Sequence, residues 1–486
     1  MSFYLYFLLR SGIIVKRNRH IAPSARTMLS RFAHSIFPLS LLVLLTAVIS
    51  PAQAFAATVY EPLITHPASY VAIFIFALSY IFVLMEEKTS FRKSKPVMIG
   101  AALIWAIVSF VVHDKGMDTE DLHDAVNETI AEFGSLMLFL LVAMTYISAL
   151  QERQVFDALR SRMVQSGWNY KRLFWATGAM AFVLSPLADN MTTALVMGAI
   201  VMALIRDNPK LVTLFMVNIV NAANAGGAFS PFGDITTLMV WQAGKVEFFD
   251  FLVLLLPAII CFVIPATIMT FWVPATSPEK MVMNIPIKTG GKRIIALGLL
   301  TIVSAITFEQ VLELPSFLGM MLGLGVLLSY GYFLQRRAIR REDGFDVFGL
   351  MDDTEWDTLL FFFGVIFCIS GLGYLGYLEL LSNSLYGEIG VNAANILIGA
   401  ASALIDNIPL MFAVLSMNPD MSEFEWQLLT LALGTGGSLL SIGSAAGVAL
   451  MGTARGQYTF IGHLKWFPAL VLGYGAAIGA HYFLNG

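Results

Sequence analysis

The sequence predicts an all-α polytopic membrane protein built as an inverted-topology repeat. Each half is expected to hold five transmembrane spans plus one re-entrant hairpin, and one helix in each half is expected to be broken. Three observations lead there. The chain of 486 residues is 57% hydrophobic and only 13% charged, with a mean hydropathy of +0.75, whereas soluble domains are near a quarter charged. Apolar runs long enough to span a bilayer recur along it, separated by short charged segments. Three polar motifs from the first half return, in order, in the second.

The same composition excludes whole classes. There is no glycine-rich phosphate loop and no zinc motif, so no cofactor is expected and transport must be driven by a gradient. Cys261 and Cys368 both lie in apolar runs and read as small buried hydrophobes. The net charge of −4 carries little information, because orientation follows the placement of Lys and Arg. No nucleic-acid partner is expected; the partners are the lipid bilayer and the transported ions.

Residues 28–56 have a basic start at Arg31, an apolar stretch Ile36–Ile49 and a small-x-small site at Ala54-Phe55-Ala56. This is the pattern of a signal peptide or, failing cleavage, of a first helix. Residues 1–27 read as an upstream extension, with Met28 the expected start. Either way Tyr60 falls outside the cytoplasm.

From there the charge bias of short loops sets the path. Runs 69–85, 97–112 and 133–150 go in, out and in. Basic "EEKTSFRKSK" at 86–95 sits inside, and the acidic loop 113–132 sits outside. His113 and His123 in that loop are candidate pH sensors, but a solvated loop is the preferred reading.

The segment 173–205 is flanked by Arg172 and by Arg206 and Lys210, so both ends belong inside. As one helix it would be roughly 50 Å long against a core of about 30 Å. Two half-length helices turning at Ser185-Pro186-Leu187-Ala188 satisfy length and charge together. Asp189 and Asn190 then lie at the tip of a hairpin, near the midplane. Runs 211–241 and 251–273 complete a first repeat spanning 57–275. The basic stretch 276–293 is a cytoplasmic linker, and a second repeat spans 294–486 through runs 294–312, 316–334, 357–378, 427–453 and 466–484. Segment 392–416 reads as a second hairpin, entering from outside.

The repeat rests on three pairs: "EFGSLMLFLL" from Glu132 with "EWDTLLFFFG" from Glu355, "SPLADNMTTALVM" with "SALIDNIPLMFAV" from Ser402, and "GGAFSPFG" from Gly226 with "GGSLLSIG" from Gly436. An odd number of spans per half inverts the second half relative to the first.

The breaks at 221–234 and 434–447 are rich in Gly, Ser, Asn and Thr. Non-helical backbone at membrane depth must line a cavity or be buried in protein. Asn221, Asn224, Ser230 and Asp234, gathered at the proline break of Pro231, offer hard oxygen ligands suited to an alkali cation. Close packing through small residues is the competing reading for Gly226, Gly227, Gly233, Gly436, Gly437, Ser438, Ser441, Gly443 and Ser444. An ionised Asp at a helix centre costs about 2.5–3.5 kcal/mol on insertion scales, so Asp189 and Asp406, each followed by Asn, are expected to work. Each carboxylate can hold a proton or a Na⁺, and each expels the other. Na⁺ is therefore expected at Asp189, Asn190, Asp406 and Asn407. Pure N-capping by the two aspartates is the bland alternative. Asp234 is a third candidate carboxylate; its counterpart is Ser444.

"LSPLADNMTTALVMGAIVMA", "NAANAGGAFSPFGDITTLMVWQAGKVEFFDF" and "ALIDNIPLMFAVLSM" resemble the NhaD-type sodium/proton antiporters of the ion transporter superfamily. The resemblance runs from about residue 60 to the C-terminus. It implies exchange of Na⁺ or Li⁺ for H⁺ at a bacterial inner membrane. It also implies a homodimer and an elevator-like movement of hairpins and broken helices. Carried onto this chain it implicates Asp189, Asn190, Thr192, Thr193, Asn221, Asn224, Ser230, Asp234, Thr236, Asp406 and Asn407.

Three rival readings remain at this point. A cation-coupled carrier of a small anion or organic acid would want positive charge near its cargo, and no Lys or Arg lies in the hairpins or breaks. An intramembrane aspartyl protease would use Asp189 and Asp406 as a shared-proton dyad. A channel would pass ions without coupling them to protons.

Overall fold

In the computed structural model, residues 61–486 are described apart from 90, 206–207, 279–284, 338–344 and 353. The expected upstream extension and signal peptide lie outside the described residues. The principal helices are α1 (Pro67–Leu84), α2 (Ser94–Asp114), α3 (Glu120–Glu152), α4 (Val155–Gln165), α5 (Tyr170–Ala188), α6 (Asn190–Leu204), α7 (Pro209–Gly227), α8 (Ile235–Gln242) and α9 (Leu255–Thr270). They continue with α10 (Gly291–Gln310), α11 (Ser316–Arg337), α12 (Trp356–Tyr374), α13 (Val391–Ala401), α14 (Asn407–Met417), α15 (Glu423–Gly436), α16 (Ala445–Thr453) and α17 (Phe467–Asn485). Short helices, among them Glu86–Thr89, Val347–Asp352, Tyr377–Ser382 and Phe460–Leu464, lie in the connections. Among the described residues there is no strand, and eight helices are long and apolar enough to cross a membrane. The protein is an all-α, multi-pass membrane protein.

Burial sorts the helices into an inside and an outside. Every residue from Leu211 to Gly227 of α7 is buried, and so is every residue from Trp426 to Gly436 of α15. A helix apolar all round belongs in a core, and these two pack on each other at the centre. By contrast α1, α10 and α11 turn Phe74, Leu300, Leu322 and Phe333 outward. Such exposure is costly in water and favourable in hydrocarbon.

The contacts come in matched pairs. α1 packs on α2 as α10 does on α11, and α2 on α12 as α11 does on α3. α5 packs on α7 as α13 does on α15, while α6 meets α16 as α14 meets α8. α7 also meets α9, and α15 meets α17.

Local sequence explains the helix starts near the site. Asn169 accepts the amide of Arg172 to begin α5. Asn208 caps α7, with Pro209 at the first position, where its missing N–H costs nothing. Ser422 and Glu425 form a capping box at α15.

Three expectations need correction. The chain does not turn over 185–188: α5 runs helically through Pro186 to Ala188, and the break is the single residue Asp189 at φ 52°, ψ 160°. Pro186 deprives Phe182 O of its helical donor, and that carbonyl is the atom a side chain on Gly226 would strike. Nor are both arms half-length: α5, with 19 residues, is about as long as a full traverse needs, and α6 has 15. The acidic stretch 113–132 is mostly not a loop: α3 begins at Glu120 and runs unbroken for 33 residues. With acidic residues in its first turn and no Pro before the span, the helix has no reason to stop.

Candidate functional site

Each hairpin tip meets a broken helix through the same contacts. Ser185, in the last turn of α5, donates its hydroxyl to Ala223 O at 2.6 Å. Ser402, just after α13, donates at 2.7 Å to Gly399 O and at 3.2 Å to the matching carbonyl, Leu433 O. Ala223 and Leu433 each lie three residues before a Gly-Gly pair. A side chain on Gly226 would strike Phe182 O, and one on Gly436 would strike Gly399 O. Gly227 faces Gly233 O as Gly437 faces Gly443 O. Gly233 in turn presses on Pro186 as Gly443 presses on Ala403. For these glycines, close backbone approach is the role the structure displays. Ser185 and Ser402 were missed as site residues, although both open the matched motifs.

The chain resumes helix in both breaks through an oxygen cap. Asp234 accepts the Thr236 amide at 2.9 Å and its hydroxyl at 2.8 Å, both on Oδ1. Ser444 accepts the Gly447 amide at 3.3 Å. Asp189 caps α6 by accepting the Thr192 amide at 2.9 Å and hydroxyl at 2.8 Å. Asp406 caps α14 more loosely, accepting from Ile408 at 3.5 Å. Capping is thus real for all three aspartates.

Capping leaves carboxylate oxygens over, and the asparagines converge on one of them. Asn190 donates its amide to Asp234 Oδ2 at 2.8 Å. Asn407 donates to the same carboxylate at 3.3 Å and 3.4 Å. Asp234, only 3% exposed, therefore joins the tips of both hairpins to the first broken helix. Asp189 and Asp406 are each the chain neighbour of a donating asparagine.

The remaining expected residues divide. Asn224 is fully buried, and among the described residues neither its Oδ1 nor its Nδ2 has a hydrogen-bond partner. The buried hydroxyls of Thr193 and Thr237 are in the same position; Thr237 was not anticipated. Asn221 instead donates to Cys261 O at 3.1 Å and accepts from Ser438 at 3.1 Å, tying α7 to α9 and to the second break. Ser230 donates to Pro186 O at 3.1 Å and holds the break to the last turn of α5. Ser441 contacts the sulfur of Met451, and Pro231 is buried in the turn.

Two charged groups join from outside the hairpins and the breaks. Lys93, the residue before α2, places its ammonium 3.9 Å from Asp406 Oδ2. Glu355, at the start of α12, is near enough to interact electrostatically with Lys93 and with Asp189. The second hairpin tip thus lies level with one end of α2 and α12 rather than with their middles. Among the described residues no three His, Cys, Asp or Glu side chains converge as a metal cluster does. A cation here would be held by a mixed set of carboxylate, amide and hydroxyl oxygens, the donors a weakly bound hard ion takes.

Residues 25–436 match the family described as Citrate transporter (CitMHS). The chain is 51% identical over 439 residues to the Na(+)/H(+) antiporter NhaD of Alkalimonas amylolytica, covering 86% of this chain and 90% of the relative. It is 50% identical over 438 residues to the NhaD of Vibrio cholerae, covering 86% and 92%. It is 31% identical over 424 residues to Sodium/proton antiporter 1 of Arabidopsis thaliana, covering 84% and 71%. These matches cover most of the chain, and it belongs to the CitMHS family and to the NhaD-type sodium/proton antiporters.

Proposed function

We propose that the chain is a secondary active transporter that exchanges Na⁺, or Li⁺, for H⁺ across a bacterial inner membrane. The observation that carries this reading is Asp234, a buried carboxylate bonded by amides from both hairpin tips. A carboxylate out of water resists ionisation unless a cation or hydrogen bonds offset the loss. A proton neutralises it covalently and Na⁺ neutralises it electrostatically, so the two exclude each other. Competition at one site, alternately open to either side, couples the two flows.

Asp189, Asn190, Asp234, Asp406 and Asn407 form the core of the proposed site, with Thr192, Thr193, Asn224 and Thr236 around it. Asn224 supplies the most direct support among these, since its amide oxygen is buried, without a partner among the described residues, and beside the break. The inverted repeat, 57–275 against 294–486 around a linker at 276–293, is supported by the matched serine and glycine contacts and by the paired helix packing. In this reading the hairpins and broken helices move as a body against α1–α3 and α10–α12, within a homodimer.

The family description favours one second reading, a carrier of an organic acid. Against it, the site carries the carboxylates of Asp189, Asp234, Asp406 and Glu355, with the Lys93 ammonium beside Asp406, an excess of negative charge that repels an anion. An aspartyl dyad is disfavoured because Asp189 bonds Thr192 while Asp406 bonds Ile408 and Lys93.

The test uses energised inside-out vesicles with a ΔpH dye. Addition of NaCl or LiCl dissipates the gradient with the intact protein and not with Asp189→Asn. A response to citrate and none to Na⁺ or Li⁺ from pH 7 to 9.5 would favour the acid carrier.

A further inference from the structure

Lys93 belongs to the basic stretch 86–95, which reads as an ordinary cytoplasmic loop. Its side chain does not behave like one. The ammonium leaves water to stand 3.9 Å from Asp406 Oδ2, and the two side chains are only 22% and 21% exposed. It also lies 4.4 Å from the ring centre of Phe361, a fully buried residue of α12. Phe361 thus fixes where the charge can sit. Of the ion pairs among the described residues, this one reaches a carboxylate of the candidate site.

Asp406 is also the aspartate with the weakest internal bonding. Asp189 accepts two close bonds from Thr192, and Asp234 is bonded by Thr236, Asn190 and Asn407. Asp406 has one long bond, at 3.5 Å, on Oδ1. Its Oδ2 faces Lys93. Two unit positive charges on one carboxylate repel each other, so an ammonium on Asp406 weakens the seating of a Na⁺ there, and a Na⁺ weakens the hold on the ammonium.

We infer that Lys93 is a tethered counter-cation of Asp406, occupying the carboxylate when no transported cation is bound and withdrawing when one arrives. Lys93 is then a positioning residue that sets the apparent affinity for Na⁺. It does so by direct competition, and it spares Asp406 from standing uncompensated between loads. The inference rests on the reading that Na⁺ binds among the hairpin carboxylates.

Its signature is a gain of affinity on removing a charge. In Lys93→Gln, the Na⁺ concentration giving half-maximal gradient dissipation falls about three- to tenfold. Lys93→Arg keeps it near the wild-type value. Lys93→Met retains the aliphatic stem over Phe361 and behaves like Lys93→Gln, which separates charge from packing. The midpoint of Na⁺-dependent thermal stabilisation of the purified protein shifts in the same direction, without reference to turnover. A residue that merely braced α2 against α14 would lower stability and leave the half-maximal Na⁺ concentration unchanged or higher. An unchanged or raised midpoint in both neutral variants, with the wild type active, overturns the role of Lys93 alone. Absence of any Na⁺ response in the wild type overturns the antiport reading beneath it.

Discussion

Asn190 donates its side-chain amide to Asp234 at 2.8 Å, across 44 positions of sequence. That one bond ties the tip of the first hairpin to the break in the neighbouring helix. Asn407 makes the corresponding approach from the second hairpin. Any movement of one tip is therefore felt at the carboxylate the other tip also holds.

Replacing Asp234 should do more harm than its position as a third candidate suggested. Asp234→Asn removes the ionisable group while keeping a cap for Thr236. Na⁺-driven proton movement is expected to fall at least about tenfold, with the protein inserted at normal levels. Normal exchange in correctly inserted Asp234→Asn vesicles would remove Asp234 from the site.

Asn224 and Asn221 sit one turn apart and should separate by what they lose. Asn224 has no protein partner among the described residues, so Asn224→Leu is expected to be neutral or stabilising by about 1–3 kcal/mol. Its Na⁺ affinity should nonetheless drop. Asn221→Leu breaks bonds to Cys261 and Ser438 and is expected to destabilise. Thermal melts in detergent beside Na⁺ titrations check both. Equal destabilisation of the two variants would make Asn224 a packing residue.

Ser185→Ala and Ser402→Ala probe the internal equivalence. Each deletes one buried hydroxyl bond to a broken-helix carbonyl, at about 0.5–1.5 kcal/mol. The two costs are expected to agree within that range in equilibrium unfolding. A large cost at one site and none at the other would argue against matched halves.

The glycine contacts give a sharper contrast. Gly226→Ala and Gly436→Ala push a methyl into backbone carbonyls, and neither carbonyl can yield as a flexible side chain would. A loss of about 3 kcal/mol or more is expected, read as lost monodisperse protein. Gly479→Ala, with open space around it, serves as control and is expected to be tolerated.

His463, in the connection between α16 and α17, is fully buried. Its Nε2 can only donate to Ser438 O, at 2.9 Å, so its Nδ1 accepts from Tyr458 at 2.7 Å. Burial lowers this imidazole from its ordinary value of 6.5 to about 4. The unfolded chain then binds the proton first, so His463 contributes full stability above about pH 6.5 and loses it as pH falls toward about 4. His463→Gln should flatten that part of the acid stability curve. An unchanged acid limb between pH 6.5 and 4 would show that His463 titrates normally.

Patterns local in sequence were legible before the fold. Hydropathy and short-loop charge marked the apolar helices, because a bilayer imposes length and composition on any segment that crosses it. The interruptions were legible too, since Gly-Gly, proline and polar residues stand out in apolar surroundings. The exact hinge was not: Pro186 signals a break, yet the chain bends at Asp189, whose carboxylate caps the next helix.

The sequence by itself determined that this chain belongs in a bilayer, where its helices break, and that acids and amides lie at the breaks. These follow from the cost of putting polar groups and free backbone in hydrocarbon. Only the tertiary structure decided which carboxylate the amides meet, that Ser185 and Ser402 do matched work, and that Lys93 reaches Asp406. Those partners lie tens to hundreds of positions apart. Periodicity and composition report how a residue relates to solvent, whereas a hydrogen bond depends on which helix happens to lie beside it.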